Sequence, residues 1–255
     1  MGDLERVFAP RSEAEDMVRI PGGTFFMGTE SEERNQGDGE SPVREVELDP
    51  FLVDQYAVTN REFFEFVRDT DYTTDAEEYG WSYVFEGLLE EADSEYVVGE
   101  MPQAPWWKGV RGANWARPTG PSSSITDKLD HPVVHISWSD AVAYCQWADK
   151  RLPTEAEWER AARGGLEQRK FPWGDKLTPD GEYRCNIWQG TFPTKNSIED
   201  GYYATAPVDE FSPNDFGIYN ASGNVWEYCQ DWFDPSYPEW AARKNPTGPD
   251  ESSAK

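Results

Sequence analysis

Four polar side chains in the second half of the chain are of types that could bind a cation. Asn186, Asp200, Asn220 and Glu227 lie in stretches rich in turn-forming residues. Carboxylate, amide and backbone carbonyl oxygens are the ligands that calcium prefers in proteins. Asn and Asp are also common turn formers, and the EF-hand spacing is absent. The residue types alone therefore leave two alternatives, a calcium site and a solvated acidic region of turns.

The cysteines and histidines do not have the spacing of a zinc site. The chain has three cysteines, Cys145, Cys185 and Cys229, and two histidines, His131 and His135, with no CxxC or HExxH motif. An odd, low number of cysteines is also not typical of a secreted disulfide framework. We expect Cys145 to be a core thiol and both histidines to form ordinary hydrogen bonds.

The remaining polar groups give little support for catalysis. Glu155 with Glu157, and Glu90 with Glu91, are paired acids of the kind that could serve acid/base chemistry. Glu157 already has the position of a helix cap, and the others are expected on the surface. The serines at 122–124 lack the G-x-S-x-G context of a hydrolase nucleophile.

Two predicted helices are the clearest elements available to position these residues. Residues 132–136 are typical of a strand, and Ser139 is predicted to cap a helix that carries apolar residues at 141, 144, 145 and 148. Thr154 and Glu157 form a predicted capping box, and the helix that follows should end at Gly164. These helices would serve as scaffold and carry no chemistry of their own.

The rest of the chain is predicted as short elements and long loops. Residues 1–16 should be a loose arm, 17–28 a hairpin, 43–53 strand-like, and 59–67 a helix that begins at a Thr59–Glu62 capping box. Apolar pieces at 216–219 and 225–228 suggest a small, twisted antiparallel sheet. The stretch 72–120 is predicted as ordered loops around Trp81, Trp106, Trp107 and Trp115. These tryptophans could fill a core or line a peptide or sugar groove, and both alternatives stay open.

Composition limits the class of partner. The 255-residue chain has a net charge of −26, which argues against nucleic acid or an anionic membrane as a partner. The first residues lack the apolar segment of a signal peptide, and no apolar run is long enough for a membrane span. We therefore expect a soluble, cytoplasmic, aromatic-rich α+β protein, with residues 17–255 as a single domain.

Several longer strings resemble one known family. KRLPTEAEWERAARGG, FPWGD, NIWQG, APVDEF and YNASGNVWEY, in this order, are similar to the formylglycine-generating enzymes, also called sulfatase-modifying factors. IPGGTFFMG and DQYAVTNREF resemble the start of the same domain. EYGWSYVFEGLL, APWWKGVRGANW and DHPVVHISWSDAVAYC resemble the sulfatase-activating branch in particular. The resemblance extends from about Met17 to about Gly248.

The resemblance implies a fold and an activity. The fold would be a compact domain related to C-type lectin-like folds, with little regular secondary structure. The activity would be the O2-dependent oxidation of a cysteine to Cα-formylglycine in a Cys-x-Pro-x-Arg segment of a sulfatase. The family also implies copper(I), held by a pair of cysteines whose soft thiolates suit that ion. We expect a monomer with the sulfatase polypeptide as its partner.

The family's two structural calcium sites can be placed on this sequence residue by residue. The first would use Asn186, Asp200 and the carbonyls of Ile187 and Tyr202. The second would use Asn220, Glu227 and the carbonyls of Gly223 and Val225. The resemblance thus favours calcium over the alternative of a simple acidic turn region.

The cysteines depart from the family pattern. The family's copper-binding pair follows a Gly-Gly-Ser strand, and none of Cys145, Cys185 and Cys229 matches its position. We therefore assign no catalytic residue, and we expect a domain that lacks its C-terminal end and is inactive by itself. A non-catalytic module of the same fold that binds a peptide or carbohydrate is the main alternative. A weaker one is an oxidase of the superfamily that acts on a small thiol.

Overall fold

The computed structural model describes residues 17–251, in which short helices and small antiparallel sheets are joined by long loops. The strands are β1 Met17–Ile20, β2 Gly23–Met27, β3 Arg44–Leu48, β4 Phe51–Asp54, β5 Trp81–Phe85, β6 Val97–Met101, β7 Ala104–Arg111, β8 Gly190–Thr191 and β9 Lys195–Asn196. The helices are α1 Asn60–Thr70, α2 Asp75–Tyr79, α3 Trp138–Trp147, α4 Glu155–Arg163 and α5 Tyr237–Trp240. The α+β class is as predicted. The arm predicted for 1–16 lies outside the described residues. None of the helices within 17–251 combines the length and apolarity that crossing a membrane requires.

The first four strands form one interrupted antiparallel pair. β1 pairs with β4, and β2 pairs with β3, so residues 17–27 run against residues 44–54. The predicted hairpin within 17–28 is therefore wrong, because β1 and β2 each find a partner much later in the chain. Pro21 and Pro50 lie at the break in the two strands, where each lacks the N–H that a continuous ladder would need.

Helix α1 supplies much of the main core. Its predicted capping box is present: the Thr59 side chain accepts a hydrogen bond from the Glu62 N–H, and the Glu62 side chain accepts one from the Thr59 N–H. Phe63 and Phe66 are almost fully buried, and the Phe63 ring lies 5.4 Å from the Trp115 ring, edge to face. Tyr144 of α3 joins the same cluster. Large aromatic side chains thus build this core, as the composition predicted.

Helix α3 begins earlier than predicted. The cap is Ser137 rather than Ser139, and Asp140 completes the capping box. The predicted strand at 132–136 is also wrong: only Pro132 makes an isolated bridge, to Thr59. The cause is His135, whose φ of +60° belongs to the left-handed region and interrupts an extended strand.

Helix α4 agrees with its prediction at both ends. Thr154 and Glu157 form the capping box, and Gly164 ends the helix with a φ of +57°. The buried face carries Ala156, which packs against the β2–β3 pair. One turn later on the same face, the Arg160 guanidinium donates to the carbonyls of Pro21 (2.9 Å) and Gly22 (3.1 Å). The helix therefore fixes the break between β1 and β2.

The stretch 72–120 is more regular than predicted. It contains α2 and a three-stranded antiparallel sheet in the order β5-β7-β6. The tryptophans of this stretch are not all buried beneath its loops. Trp115 is buried, but Trp81 and Trp107 are 38% and 39% exposed. By contrast, the pieces at 216–219 and 225–228 form no strand. Their apolar residues are held by loop hydrogen bonds, such as the one from the Tyr219 N–H to the Gln55 carbonyl.

Candidate functional site

Two of the predicted residues of the first cation site bond the carboxylate of a third. They lie in the loop of residues 185–205, called the first loop here. Asp200 Oδ2 accepts a hydrogen bond from the Ile187 N–H (2.8 Å), and Asp200 Oδ1 accepts one from the Tyr202 N–H (3.0 Å). Asn186 precedes Ile187 and is buried. The structure therefore brings all four predicted residues of this site into one loop.

Gln189 is a further member of the first loop that the sequence reading missed. Its Oε1 accepts from the Glu199 N–H (2.9 Å), which orients the amide. Its Nε2 then donates to Asp200 Oδ2 (2.6 Å) and to the Ile187 carbonyl. Because one amide nitrogen reaches both Asp200 Oδ2 and the Ile187 carbonyl oxygen, these two oxygens lie close together. The only local signal in the sequence is that Gln189 directly follows the apolar pair Ile187–Trp188.

The second set of predicted residues lies in the loop of residues 220–227, called the second loop. Asn220 has a φ of +49°, and its Nδ2 donates to the Val208 carbonyl (2.8 Å). Its Oδ1 is buried and finds no hydrogen-bond partner among residues 17–251. A buried amide oxygen without a partner is costly, and a cation or a water would relieve that cost.

Glu227 is the only carboxylate among the predicted residues of the second loop. Trp158 Nε1 of α4 donates to its Oε2 at 3.3 Å. Glu227 is exposed as a residue, but the protein that surrounds its carboxyl removes part of its hydration and so raises its pKa above the ordinary value. A bound cation would favour the ionised form and oppose that shift. The second loop therefore contains a carboxylate and an unpaired amide oxygen, which are both oxygen types that a hard cation takes.

The two loops are in direct contact. The Asn224 N–H donates to the Asn186 carbonyl at 2.8 Å, and a Cβ placed on Gly223 would overlap that same carbonyl. Gly223 also has a φ of +78°, a conformation that side chains other than Gly rarely adopt. Only glycine lets the second loop approach the first this closely.

The cysteines are all free, and their surroundings keep them protonated. Burial raises the pKa of Cys145, of Cys185 to about 11, and of Cys229 to about 12; nearby carboxylates add to the effect. Cys145 packs against the main core, as predicted, although it is only partly buried. Within 17–251, no three side chains of His, Cys, Asp and Glu form a group that could hold a metal ion.

Both histidines are hydrogen-bonded, as predicted. His131 Nδ1 lies 2.9 Å from Thr205 Oγ1. His135 is bonded on both ring nitrogens, with Nδ1 2.8 Å from Ser82 Oγ and Nε2 2.7 Å from the Pro118 carbonyl. Since a carbonyl can only accept, Nε2 carries the proton in this arrangement, and Nδ1 accepts from the serine. Burial lowers the pKa of both histidines below the ordinary value of 6.5.

His135 should make the protein less stable in mild acid. Its folded pKa is depressed, so below about 6.5 the unfolded chain binds a proton that the folded chain does not. The stabilising contribution is therefore complete above that pH and is lost as the pH falls through it. We expect His135→Asn, which tolerates a positive φ, to reduce the loss of unfolding free energy between pH 7.5 and 5.5 by about 1 kcal/mol. Urea unfolding of both proteins at the two pH values measures this, and equal losses would contradict it.

The candidate acids and serines have structural roles. Glu157 caps α4 and forms an ion pair with Arg151. The serine run includes Ser122, whose N–H and hydroxyl both bond the buried Asp93 carboxylate. Glu90 and Glu91 are exposed. Glu157 and Ser122 are thus held by structural contacts.

Exposed aromatic side chains occur in two further places, the three-stranded sheet and the second loop. On the three-stranded sheet, the Trp81 and Tyr83 rings lie 5.1 Å apart, and the Trp81 ring packs closely over Gly109 of β7, where a Cβ would lie only 3.3 Å from it. We call Trp81, Tyr83 and Trp107 the aromatic sheet face. Elsewhere Trp226 of the second loop is fully exposed. Of the two roles left open for the tryptophans, core filling holds for Trp115, while the sheet face remains available to a partner.

Comparisons with known proteins point to one family. The family model described as the sulfatase-modifying factor enzyme 1-like domain matches residues 5–250. A formylglycine-generating enzyme of Thermomonospora curvata is 55% identical over 250 residues, which are 97% of this chain and 82% of that protein. A bovine protein named inactive C-alpha-formylglycine-generating enzyme 2 is 50% identical over 214 residues, 84% of this chain and 69% of that protein.

A solved structure supports the same fold. The structure of PvdO from Pseudomonas aeruginosa superposes with a TM-score of 0.60 and covers 96% of this chain and 81% of that one. Its sequence identity is 24%, so the likeness concerns the fold alone.

Proposed function

The chain belongs to the sulfatase-modifying factor family, and we propose that it belongs to a formylglycine-generating oxidase. Its fold is the fold of that family, as the sequence strings implied. The proposed substrate is a cysteine in a Cys-x-Pro-x-Arg segment of a sulfatase, and the proposed oxidant is O2. The observation that carries the proposal is the identity with a formylglycine-generating enzyme along nearly the whole chain.

Two surface properties support a peptide substrate. The aromatic sheet face offers exposed rings on a rigid antiparallel sheet, which suits an apolar or proline-containing segment. The net charge of −26 suits an arginine in the same segment, because an acidic surface attracts a cationic peptide. Neither property distinguishes an enzyme from a binding module, so family membership has to carry that part of the proposal.

We also propose that the two loops each hold a calcium ion. The support is chemical: each loop combines one carboxylate, Asp200 or Glu227, with amide and carbonyl oxygens, and Asn220 Oδ1 is buried without a partner in the described part of the chain. The ions would be structural, since the loops contain few ladder hydrogen bonds of their own.

The three cysteines do not fit a copper(I) site. Copper(I) prefers thiolates, whereas burial and neighbouring carboxylates keep Cys185 and Cys229 in the thiol form. Cys145 is on α3 within a core cluster. We therefore assign no step of the reaction to these residues. We propose that the 255-residue chain alone does not oxidise a substrate.

An aldehyde assay tests the proposed function. The complete product of the gene and the 255-residue chain would each be incubated with Cu(I), O2, a thiol reductant and a Cys-x-Pro-x-Arg peptide. We expect aldehyde from the complete gene product and none from the 255-residue chain, whose cysteines do not suit the metal. The same peptide with Ser in place of Cys is the matched control. Absence of aldehyde from the complete gene product would contradict the proposal.

A non-catalytic binding module is the second candidate. It is favoured by one observation, that a relative named inactive matches over most of the chain. The same peptides discriminate between the two: tight binding of both the Cys and the Ser peptide, with no aldehyde from either, would support the module.

A further inference from the structure

We propose that Asn224, which lies in the second loop, is a positioning residue for the cation site of the first loop. The proposal rests on the two calcium sites proposed above and goes beyond them, because Asn224 is not among their ligands. It assigns a role in the cation site of the first loop to a residue that lies in the second loop.

The side chain of Asn186 bonds Asn224 directly. Its Nδ2 donates to the Ala204 carbonyl (2.6 Å) and to Asn224 Oδ1 (3.1 Å). An amide nitrogen has two N–H donors, so these two bonds use both. The Asn186 oxygen must then face away from Ala204 and Asn224, where it is free to ligate a cation. Asn224 thus determines which end of the Asn186 amide is presented as a ligand.

The side chain of Asn224 is itself held rigidly. Its Oδ1 also accepts from the Ala206 N–H (2.8 Å), and its Nδ2 donates to the Ala206 carbonyl (3.1 Å). These two bonds to one residue fix the amide in a single orientation. Ala206 is completely buried, so the arrangement is shielded from competing water. A fixed acceptor is what a positioning residue needs to hold a ligand in one rotamer.

The backbone of Asn224 is also hydrogen-bonded to Asn186. Its N–H donates to the Asn186 carbonyl at 2.8 Å, and its φ is +64°. Asparagine tolerates this conformation better than most residues, and glycine tolerates it fully. Substitution by glycine would therefore remove the side-chain bonds while it keeps the backbone path of the second loop.

Calcium titrations in two backgrounds test the proposal. Glu227→Gln disables the second site and leaves the first, whereas Asp200→Asn does the reverse. In the Glu227→Gln background, we expect Asn224→Gly to weaken calcium binding by at least 10-fold, the lower end of the usual effect of such outer contacts. In the Asp200→Asn background we expect a smaller loss. Asn224→Asp keeps the acceptor for Asn186 and should retain the affinity of the first site.

The outcomes are distinct. A loss below 10-fold at the first site, or a loss at the second site that equals or exceeds it, would overturn the positioning role. If neither background binds calcium, the calcium sites fail and this role fails with them. The aldehyde assay is independent, so a failure of the oxidase proposal would leave these titrations unaffected. If Asn224→Gly does not fold, Asn224→Ser, which also lacks the amide, serves the same comparison.

Discussion

Replacement of Asp140 by alanine should lower the free energy of unfolding by about 3–5 kcal/mol, because three buried hydrogen bonds lose their acceptor together. Asp140 is completely buried. Its Oδ1 accepts from the Tyr72 hydroxyl (3.0 Å) and from the Asp75 N–H (3.1 Å), and its Oδ2 accepts from the Ser137 N–H (2.8 Å). One carboxylate thus joins the start of α2, the start of α3 and the segment after α1.

Tyr72 gives this prediction a second readout. Desolvation and the hydrogen bond to Asp140 raise the pKa of Tyr72 to about 12. In Asp140→Ala the tyrosine loses that partner, and its pKa should fall back toward the ordinary value of 10. Urea unfolding measures the loss of stability. Asp69→Ala, which removes only an exposed ion pair with Arg68, is the control and should change stability by less than about 0.5 kcal/mol. A loss below about 1 kcal/mol in Asp140→Ala would contradict the account.

Removal of calcium should lower the melting temperature by about 10–20 °C. A ligand at 100 times its dissociation constant stabilises the folded state by about 2.7 kcal/mol per site. For a domain of this size, each kcal/mol of stability raises the melting temperature by roughly 2–4 °C. Two calcium sites are proposed, so their contributions add. Melting curves in calcium and in excess EGTA, at constant ionic strength, measure the effect.

Two controls separate site binding from general screening of the acidic surface. Magnesium at the same concentration should not reproduce the effect, because it takes smaller, octahedral sites and keeps its water. The double variant Asp200→Asn, Glu227→Gln should melt at the same temperature with calcium and with EGTA. Equal melting temperatures of the unaltered protein in calcium and in EGTA would refute occupied sites.

The helices were predictable because their signals are local. The capping boxes at Thr59 and Thr154 depend on residues three positions apart, and both are present in the structure. For α3 the sequence predicts Ser139 as the cap, two residues after Ser137, which is the cap in the structure. The pair Ser137–Asp140 has the capping-box spacing with Asp in place of Glu, which is a weaker sequence signal than the pairs at Thr59 and Thr154.

The sheets were harder to predict because strand partners are distant in sequence. β1 ends at Ile20, whose partner Phe51 lies beyond β2 and β3, and a reading of adjacent strands gives a hairpin instead. In β5, apolar residues occupy both faces, since Val84 faces the core while Trp81 and Tyr83 face solvent. The alternation that marks a half-buried strand is therefore obscured.

The candidate site was predictable in its residue types but not in its connections. The sequence strings give Asp200 and Glu227 as possible ligands. The roles of Gln189 and Asn224 depend on contacts that form only when the two loops meet. No pattern within one loop reveals that Asn224 bonds Asn186, which precedes it by 38 positions.

The central claim is that the chain belongs to an enzyme that converts a sulfatase cysteine to formylglycine. The most direct measurement is mass spectrometry of a sulfatase co-expressed with the complete product of the gene, in a host without its own modifying enzyme. The account predicts that the cysteine of the Cys-x-Pro-x-Arg segment becomes an aldehyde, and that it stays a thiol when the gene is omitted. An unmodified cysteine in both cultures, with the protein folded and calcium present, would contradict the claim.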